Sequence, residues 1–198
     1  MPRTPRCQHE PCRGPLPITA RTDARYCSGR CRTAACRARR SIPRELTSRP
    51  RWVRRSARKV PLTTGGATAS STDPGTWARY REAAASDAGA GLGYVLADGD
   101  GVVCLDLDHC LTADGEVVGW AQNILDAARP TWVERSVSGD GLHVWGLGEL
   151  QHGRRIALDG GGTVELYGTG RYIAVTGQTF GGTPQRLGDL GPLIRELL

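Results

Sequence analysis

Gly101-Val-Val-Cys-Leu-Asp-Leu-Asp-His-Cys110 is the stretch around which the chain is organised. It follows the turn-rich run Asp98-Gly99-Asp100-Gly101 and reads as a short buried strand, with Val102, Val103, Cys104, Leu105 and Leu107 as its apolar content. Side chains alternate along a strand, so positions i and i+2 share a face. Leu105 and Leu107 then point into a core, and Asp106 and Asp108 lie side by side on the other face. Two carboxylates that close repel unless a cation or a proton sits between them. The pattern reads either as a divalent-metal site of the kind used in phosphoryl chemistry or as a pair of solvated acids at a strand end.

The chain of 198 residues is long enough for one ordinary domain plus a small appendage. Its formal net charge of +6 is unevenly placed. The first 60 residues hold about 17 basic groups against Glu10, Asp23 and Glu45, which leaves the remainder net acidic. A basic head on an acidic body suits a polyanion-binding arm beside a cation-binding site, rather than a solubilising tail. No apolar run is long enough to span a bilayer, and the polar N-terminus lacks the apolar centre of a signal peptide. The expectation is a cytoplasmic protein without a membrane partner. The seven cysteines are odd in number and cluster in the head, which favours metal ligation over a disulfide framework.

Within the head, Cys7, Cys12, Cys27 and Cys31 form a Cys-x4-Cys … Cys-x3-Cys pattern. Four thiolates in two close pairs suit tetrahedral zinc. Ser28 is a candidate helix cap, and the Ala- and Arg-rich run from Arg30 to Arg40 reads as a helix. A segment this short can scarcely bury a core unaided, so zinc would supply its folding energy. His9 is a conceivable substitute ligand but reads better as a surface residue, and Cys36 falls on the helix as a spare. The Arg-rich helix face invites phosphate contacts.

Residues 41–50 read as a linker or first turn. Arg51-Trp52-Val53-Arg54-Arg55 reads as a strand, and residues 63–73 as a loop. Asp73-Pro74 should cap a helix over 75–86. Leu92-Gly93-Tyr94-Val95-Leu96 reads as a strand that pairs, antiparallel, with 102–108 across the Asp-Gly-Asp-Gly turn. An amphipathic helix is expected over 119–129, closed by Pro130. Thr131–Ser136 and Leu142–Trp145 form a strand, Ser/Gly loop, strand unit. His143 and Trp145 share one face of the returning strand, and Leu142 and Val144 face the core. The small residues Ser136, Ser138, Gly139 and Gly141 would let backbone N–H groups approach an anion. A histidine that follows such a loop is a candidate for touching phosphate. Residues 158–162 read as a glycine turn. In Thr163-Val164-Glu165-Leu166-Tyr167, Val164 and Leu166 point inward, so Glu165 can join Asp106 and Asp108 as a third carboxylate. A further strand over 170–177 and a terminal helix over 192–198 complete an α+β pattern.

Three of these segments, in this order, resemble the motifs of the primase–polymerase (prim-pol) domain of the archaeo-eukaryotic primase superfamily, as found in phage and plasmid replication proteins. They are Asp106-Leu107-Asp108, then Ser136 through His143, then Val164-Glu165-Leu166-Tyr167. Lys59-Val60-Pro61-Leu62, the run from Ala69 to Trp77, and Arg171 through Gly177 look familial as well. The head resembles treble-clef-like zinc modules. The resemblance implies an RRM-like antiparallel catalytic sheet in a domain over 41–198, preceded by a zinc-bound, nucleic-acid-binding module over 1–40. It implies template-directed nucleotidyl transfer, as a DNA primase or DNA polymerase. Asp106, Asp108 and Glu165 would hold Mg²⁺ or Mn²⁺, and His143 would hold the incoming triphosphate with Ser136, Ser138, Gly139 and Gly141. Lys59 and Arg171 are further candidates for nucleotide or template contact. The expected partners are a single-stranded DNA template, nucleoside triphosphates and a separately encoded helicase, in a bacterial or phage-infected cell.

Two other readings stand beside this one. The first is a non-catalytic zinc-bearing DNA-binding protein with a degenerate primase-like body. The second is a phosphatase of the haloacid-dehalogenase type, which Leu105-Asp106-Leu107-Asp108 also resembles. Against the latter, the fourth position after Asp106 is Cys110, and the lone lysine, Lys59, lies upstream of the motif.

Overall fold

In a computed structural model, the structure describes residues 7, 12, 14–19, 21, 24–40, 42–158 and 161–198, and the side chains of these except for 35–40. His9 and the side chain of Cys36 therefore lie outside the described residues, as do residues 159 and 160 of the expected glycine turn. The helices are α1 (Gly29–Arg40), α2 (Arg44–Thr47), α3 (Tyr80–Ala85), α4 (Gly119–Ala127) and α5 (Gly191–Leu197). The strands are β1 (Trp52–Arg55), β2 (Pro61–Leu62), β3 (Gly91–Leu96), β4 (Val102–Leu107) and β5 (Val133–Arg135), followed by β6 (Leu142–Leu147), β7 (Arg154–Ala157), β8 (Thr163–Tyr167), β9 (Arg171–Val175) and β10 (Gly188–Asp189). The fold is α+β. No helix among the described residues is long and apolar enough to cross a membrane.

Two sheets form. One runs β2-β1-β3-β9, all antiparallel. The other runs β10-β6-β4-β8-β7, with β5 also on β6, and is antiparallel except for the short β10–β6 pair. The expected β3–β4 hairpin does not form, because each of the two strands is already paired along both edges within its own sheet. The link between them turns a corner instead. Gly99 and Gly101 take left-handed φ values of 75° and 62°. Arg51 clamps Asp100 at 2.8 and 3.0 Å, while Gly148 N–H donates to Gly101 O on the other side.

Alternation along β4 feeds two different cores. Val103, Leu105 and Leu107 pack with Leu142, Val144, Val164 and Leu166 under α4 and α5. Val102 and Cys104 face the other sheet, in a core of Trp52, Tyr94, Trp132 and Trp145. There Trp52–Tyr94 and Tyr94–Trp145 meet edge-on, with ring centroids 5.4 and 5.9 Å apart. Such pairs add roughly 0.5–1.5 kcal/mol each beyond their area. Each buried indole also finds an acceptor: Leu46 O for Trp52, Thr179 Oγ1 for Trp132 and Glu134 Oε1 for Trp145.

Three local expectations need correction. The helix expected over 75–86 is broken. Asp73 Oδ1 accepts from Gly75 N–H and caps a single 3₁₀ turn, Trp77 is extended with its indole donating to Ser70 O, and α3 begins only at Tyr80. Residues 41–50 are more than a linker, since they include α2, and Ile42 and Leu46 are buried in the aromatic core. Asp108 lies one residue beyond the end of β4, in the following turn.

Gly146 on β6 lets Leu190 sit against the sheet. A Cβ there would lie 2.4 Å from Leu190 Cγ and 2.8 Å from Gly188 O. Gly146→Ala should therefore cost about 1–3 kcal/mol and lower the midpoint of thermal unfolding by several degrees. Gly119→Ala, whose Cβ would meet nothing within 4 Å, should not lower it.

Candidate active site and cysteine cluster

The register of the larger sheet sets the site. Glu134 on β5 pairs with His143 on β6, His143 with Asp106 on β4, Asp106 with Glu165 on β8, and Glu165 with Arg155 on β7. Five strands thus place five ionisable groups in one transverse row, all on the face turned toward the smaller sheet. Asp108, just past β4, adds a third carboxylate. Ligand atoms of Asp106, Asp108 and Glu165 all lie within 4.8 Å of one another.

The row opens into a cleft of about 440 Å³ between the two sheets. Asp106, His143, Glu165 and Tyr167 line it from one side, and Lys59, Pro61 and Arg171 through Ala174 from the other. The structure therefore brings together Asp106, Glu165, His143, Lys59 and Arg171, as the sequence suggested. Arg171 stacks over the Tyr167 ring at 4.8 Å, and Tyr167 Oη donates to Glu165 Oε2. Lys59 takes a left-handed φ of 59°, an uncommon conformation for a residue with a side chain. Ser56 Oγ accepts from the N–H groups of Arg58 and Val60, and Tyr172 Oη donates to Lys59 O, so the turn is held from both sides.

The 136–141 loop is arranged differently from the anion cradle read in the sequence. Val137 is the residue of the loop that lines the cleft. Ser136 is buried, its hydroxyl 2.9 Å from that of Ser138, and Arg135 donates to Gly139 O. A Cβ at Gly141 would lie 2.9 Å from Leu107 O, so glycine there allows close approach to the end of β4.

Electrostatics at the centre of the row favour a cation. Burial pushes the Asp106 carboxyl above its ordinary pKa; His143 and Lys59 oppose the shift, and Asp108 and Glu165 add to it. Asp106 Oδ1 is buried and accepts no hydrogen bond, with His143 Nε2 standing 3.6 Å away. An orphaned carboxylate oxygen between two more carboxylates is a fitting donor set for a hard divalent ion such as Mg²⁺ or Mn²⁺. Burial holds the His143 pKa down, but the hydrogen bond from Nδ1 to Glu134, the Glu134 charge and the Asp106 charge together leave it raised.

Sequence reading missed Glu134. It is fully buried and forms the far end of the row. Within Val133-Glu134-Arg135 it passes for a solvent-facing side chain, and only the pairing of β5 with β6 turns it inward. It also missed Arg155, whose strand β7 offers little apolar content; Arg155 Nε lies 3.6 Å from Glu165 Oε1 at the exposed rim.

The second candidate site is local. Sγ atoms of Cys7, Cys12, Cys27 and Cys31 lie within 4.8 Å of one another, with Cys12–Cys27 at 3.4 Å and Cys27–Cys31 at 3.5 Å. Zn–S bonds of about 2.3 Å in a tetrahedron hold sulfurs at comparable spacing. Ser28 Oγ accepts from Cys31 N–H, which caps the start of α1 and fixes the backbone at Cys31. Hydrogen bonding among the crowded thiols, from Cys12 first, pushes the Cys27 pKa up to about 12. A bound cation reverses that preference by holding thiolates. Arg25 ties this region to the body through Asp87, at 3.1 Å.

Among known proteins, the chain is 39% identical over 138 residues to a DNA Primase-polymerase of Nitratiruptor phage NrS-1. The match takes in 66% of this chain and 19% of that protein, so the chain spans about a fifth of its relative's length. No protein-family model matches.

The cysteine cluster can be tested directly. Metal analysis of the purified protein should find one zinc per chain. Cys27→Ser should lose it and Cys36→Ser should keep it; zinc retained after the Cys27 change would reject this ligand set.

Proposed function

Since the chain carries a primase–polymerase (prim-pol) domain, we propose that it catalyses template-directed nucleotidyl transfer in phage or plasmid DNA replication, as a DNA primase or DNA polymerase. The observation that carries this reading is the convergence of Asp106, Asp108 and Glu165 at a cleft whose opposite wall supplies Lys59 and Arg171. Acids on one wall and bases on the other suit a triphosphate held between cations and side-chain charges.

On this reading Asp106, Asp108 and Glu165 hold two divalent cations, Mg²⁺ or Mn²⁺. When bound, such a pair would lower the pKa of an attacking 3′-hydroxyl and stabilise the leaving pyrophosphate. His143 presents Nε2 to the triphosphate, and Lys59 and Arg171 approach it from the smaller sheet. We take the larger antiparallel sheet as the RRM-like catalytic sheet. We also take residues 41–198 as the catalytic domain, and residues 1–40 as a zinc module that holds single-stranded template. Nucleoside triphosphates are the substrates. A helicase partner and a cytoplasmic setting in a bacterial or phage-infected cell complete the proposal. The non-catalytic alternative gives no reason for three carboxylates to converge, because clustered acids repel DNA.

Incubation with single-stranded DNA, labelled nucleotides and Mn²⁺, with and without an annealed primer, tests the activity. Alanine at Asp106, Asp108 or Glu165 should reduce incorporation to background while DNA binding stays intact or strengthens, since each change removes negative charge near a polyanion. His143→Ala should instead raise the apparent KM for nucleotide about 10- to 100-fold, the loss of one charge-assisted hydrogen bond of roughly 1.5–3 kcal/mol. Full incorporation by the Glu165 variant would remove that residue from the site.

The basic head should contribute affinity rather than chemistry. Deleting residues 1–40 should weaken binding to single-stranded DNA and flatten its dependence on salt, by about 0.7 in log–log slope for each phosphate that the head neutralises. An unchanged slope would leave the head as a solubilising tail.

A further inference from the structure

We infer that Glu134 is the positioning residue for His143, setting which ring nitrogen faces the cleft; the inference rests on the proposed role of His143 in holding the triphosphate. Among the described residues, Glu134 is the one acidic side chain that is fully buried. Its two oxygens accept five hydrogen bonds. Oε1 takes Nδ1–H of His143 at 3.1 Å and Nε1–H of Trp145 at 3.2 Å. Oε2 takes the N–H of Thr176 at 2.9 Å, its hydroxyl at 3.1 Å and the N–H of Gly177 at 2.7 Å.

The two halves of the carboxylate do different work. Thr176 and Gly177 follow β9, so Oε2 ties the end of the smaller sheet to β5 of the larger one. Oε1 is free of that duty and grips the imidazole. With Nδ1–H donated to Glu134, the opposite nitrogen, Nε2, is the one that faces Asp106 and the cleft. The Trp145 indole stands edge-on to the imidazole, 6.4 Å between centroids, and shares its acceptor. The ring is therefore fixed by a hydrogen bond on one side and by packing on another. A carboxylate behind an imidazole is a general way to fix its tautomer and raise its basicity.

Glutamine at this position separates the two duties. The amide has nearly the shape of the carboxylate but a single acceptor oxygen. Three donors converge on Oε2, so the amide oxygen should stay there and the NH₂ should turn toward His143. The NH₂ cannot accept from Nδ1–H, and Nδ1 must then accept instead, which puts the proton on Nε2. The same NH₂ faces Trp145 Nε1–H, which then loses its acceptor. Glu134→Gln should thus keep the tie to Thr176 and Gly177 through Oε2, lower stability somewhat, and change what His143 offers to a phosphate.

The test uses the full chain and three measurements. Glu134→Gln should raise the KM for nucleotide about tenfold with a smaller change in kcat. Added to His143→Ala, it should raise KM no further, because the residue it acts through is gone. A purely structural tie between the sheets would add its effect in that background, and additivity would overturn the inference, as would an unchanged KM in the single variant. Nitrogen-15 spectra of the histidine rings give a readout that needs neither activity nor a folded variant. In the unsubstituted protein His143 Nδ1 should carry a proton, and a bare Nδ1 would overturn the inference outright. If the protein incorporates no nucleotide, the functional reading fails by itself, while the ring spectra still decide whether Glu134 sets the tautomer.

Discussion

The register of β4 against β6 and β8 is the constraint on which the remaining structure depends. In a sheet with period two, a slip of one residue exchanges every side chain between faces. If β8 slid by one position, Val164 or Leu166 would enter the cleft and Glu165 would be driven into the apolar layer under α4 and α5. That layer is what prevents the slip. Leu105, Leu107, Leu142, Val144, Val164 and Leu166 are all fully buried there, and each side chain of this kind forfeits about 1.5–3 kcal/mol if moved to water. The apolar face of the sheet thus positions the ionisable row on the other face, without contact between the two.

The space between the sheets changes character along its length. At one end it is a closed aromatic core, in which every buried indole has an acceptor. At the other it is a cleft that gathers like charges, which by itself is unfavourable. Glu134 stands at the boundary: it satisfies Trp145 from the core, His143 from the site and the backbone after β9. Lys59 lies across the cleft in a left-handed conformation that costs roughly 1–2 kcal/mol. Strain and charge crowding are concentrated where the proposed chemistry occurs, and the aromatic end supplies the packing that offsets them.

How far the site could be read from sequence depended on how local its determinants are. Period-two alternation identified the faces of Asp106, His143 and Glu165, because each sits in a strand whose neighbours at i±1 are apolar. The four cysteines were legible for a similar reason, since they fall in two close pairs within 25 positions. The β3–β4 pairing was misread because a Gly-rich turn between two apolar runs signals a hairpin only when neither strand has better partners, and those partners lie far along the chain. Glu134 and Arg155 were illegible in the same sense. Their strands are short, and nothing in Val-Glu-Arg or Arg-Arg-Ile-Ala shows that a partner strand will turn one side chain into the site.

The charge distribution links the two candidate metal centres. A net acidic body with three carboxylates at its cleft would repel a polyanion, and the net basic head would attract one. On the proposed reading, neither half is sufficient. The head supplies sequence-independent attraction that weakens with salt, and it would hold a strand near the body whether or not the cleft were occupied. The cleft becomes attractive to a triphosphate only when divalent cations neutralise Asp106, Asp108 and Glu165. Lys59 and Arg171 alone would face at least as many acids as they could offset. Template affinity and nucleotide affinity should therefore depend on different ions: the first on zinc that folds the head, the second on Mg²⁺ or Mn²⁺ in the cleft. That division follows from ligand chemistry, because four soft sulfurs select zinc, whereas three hard carboxylates suit Mg²⁺ or Mn²⁺.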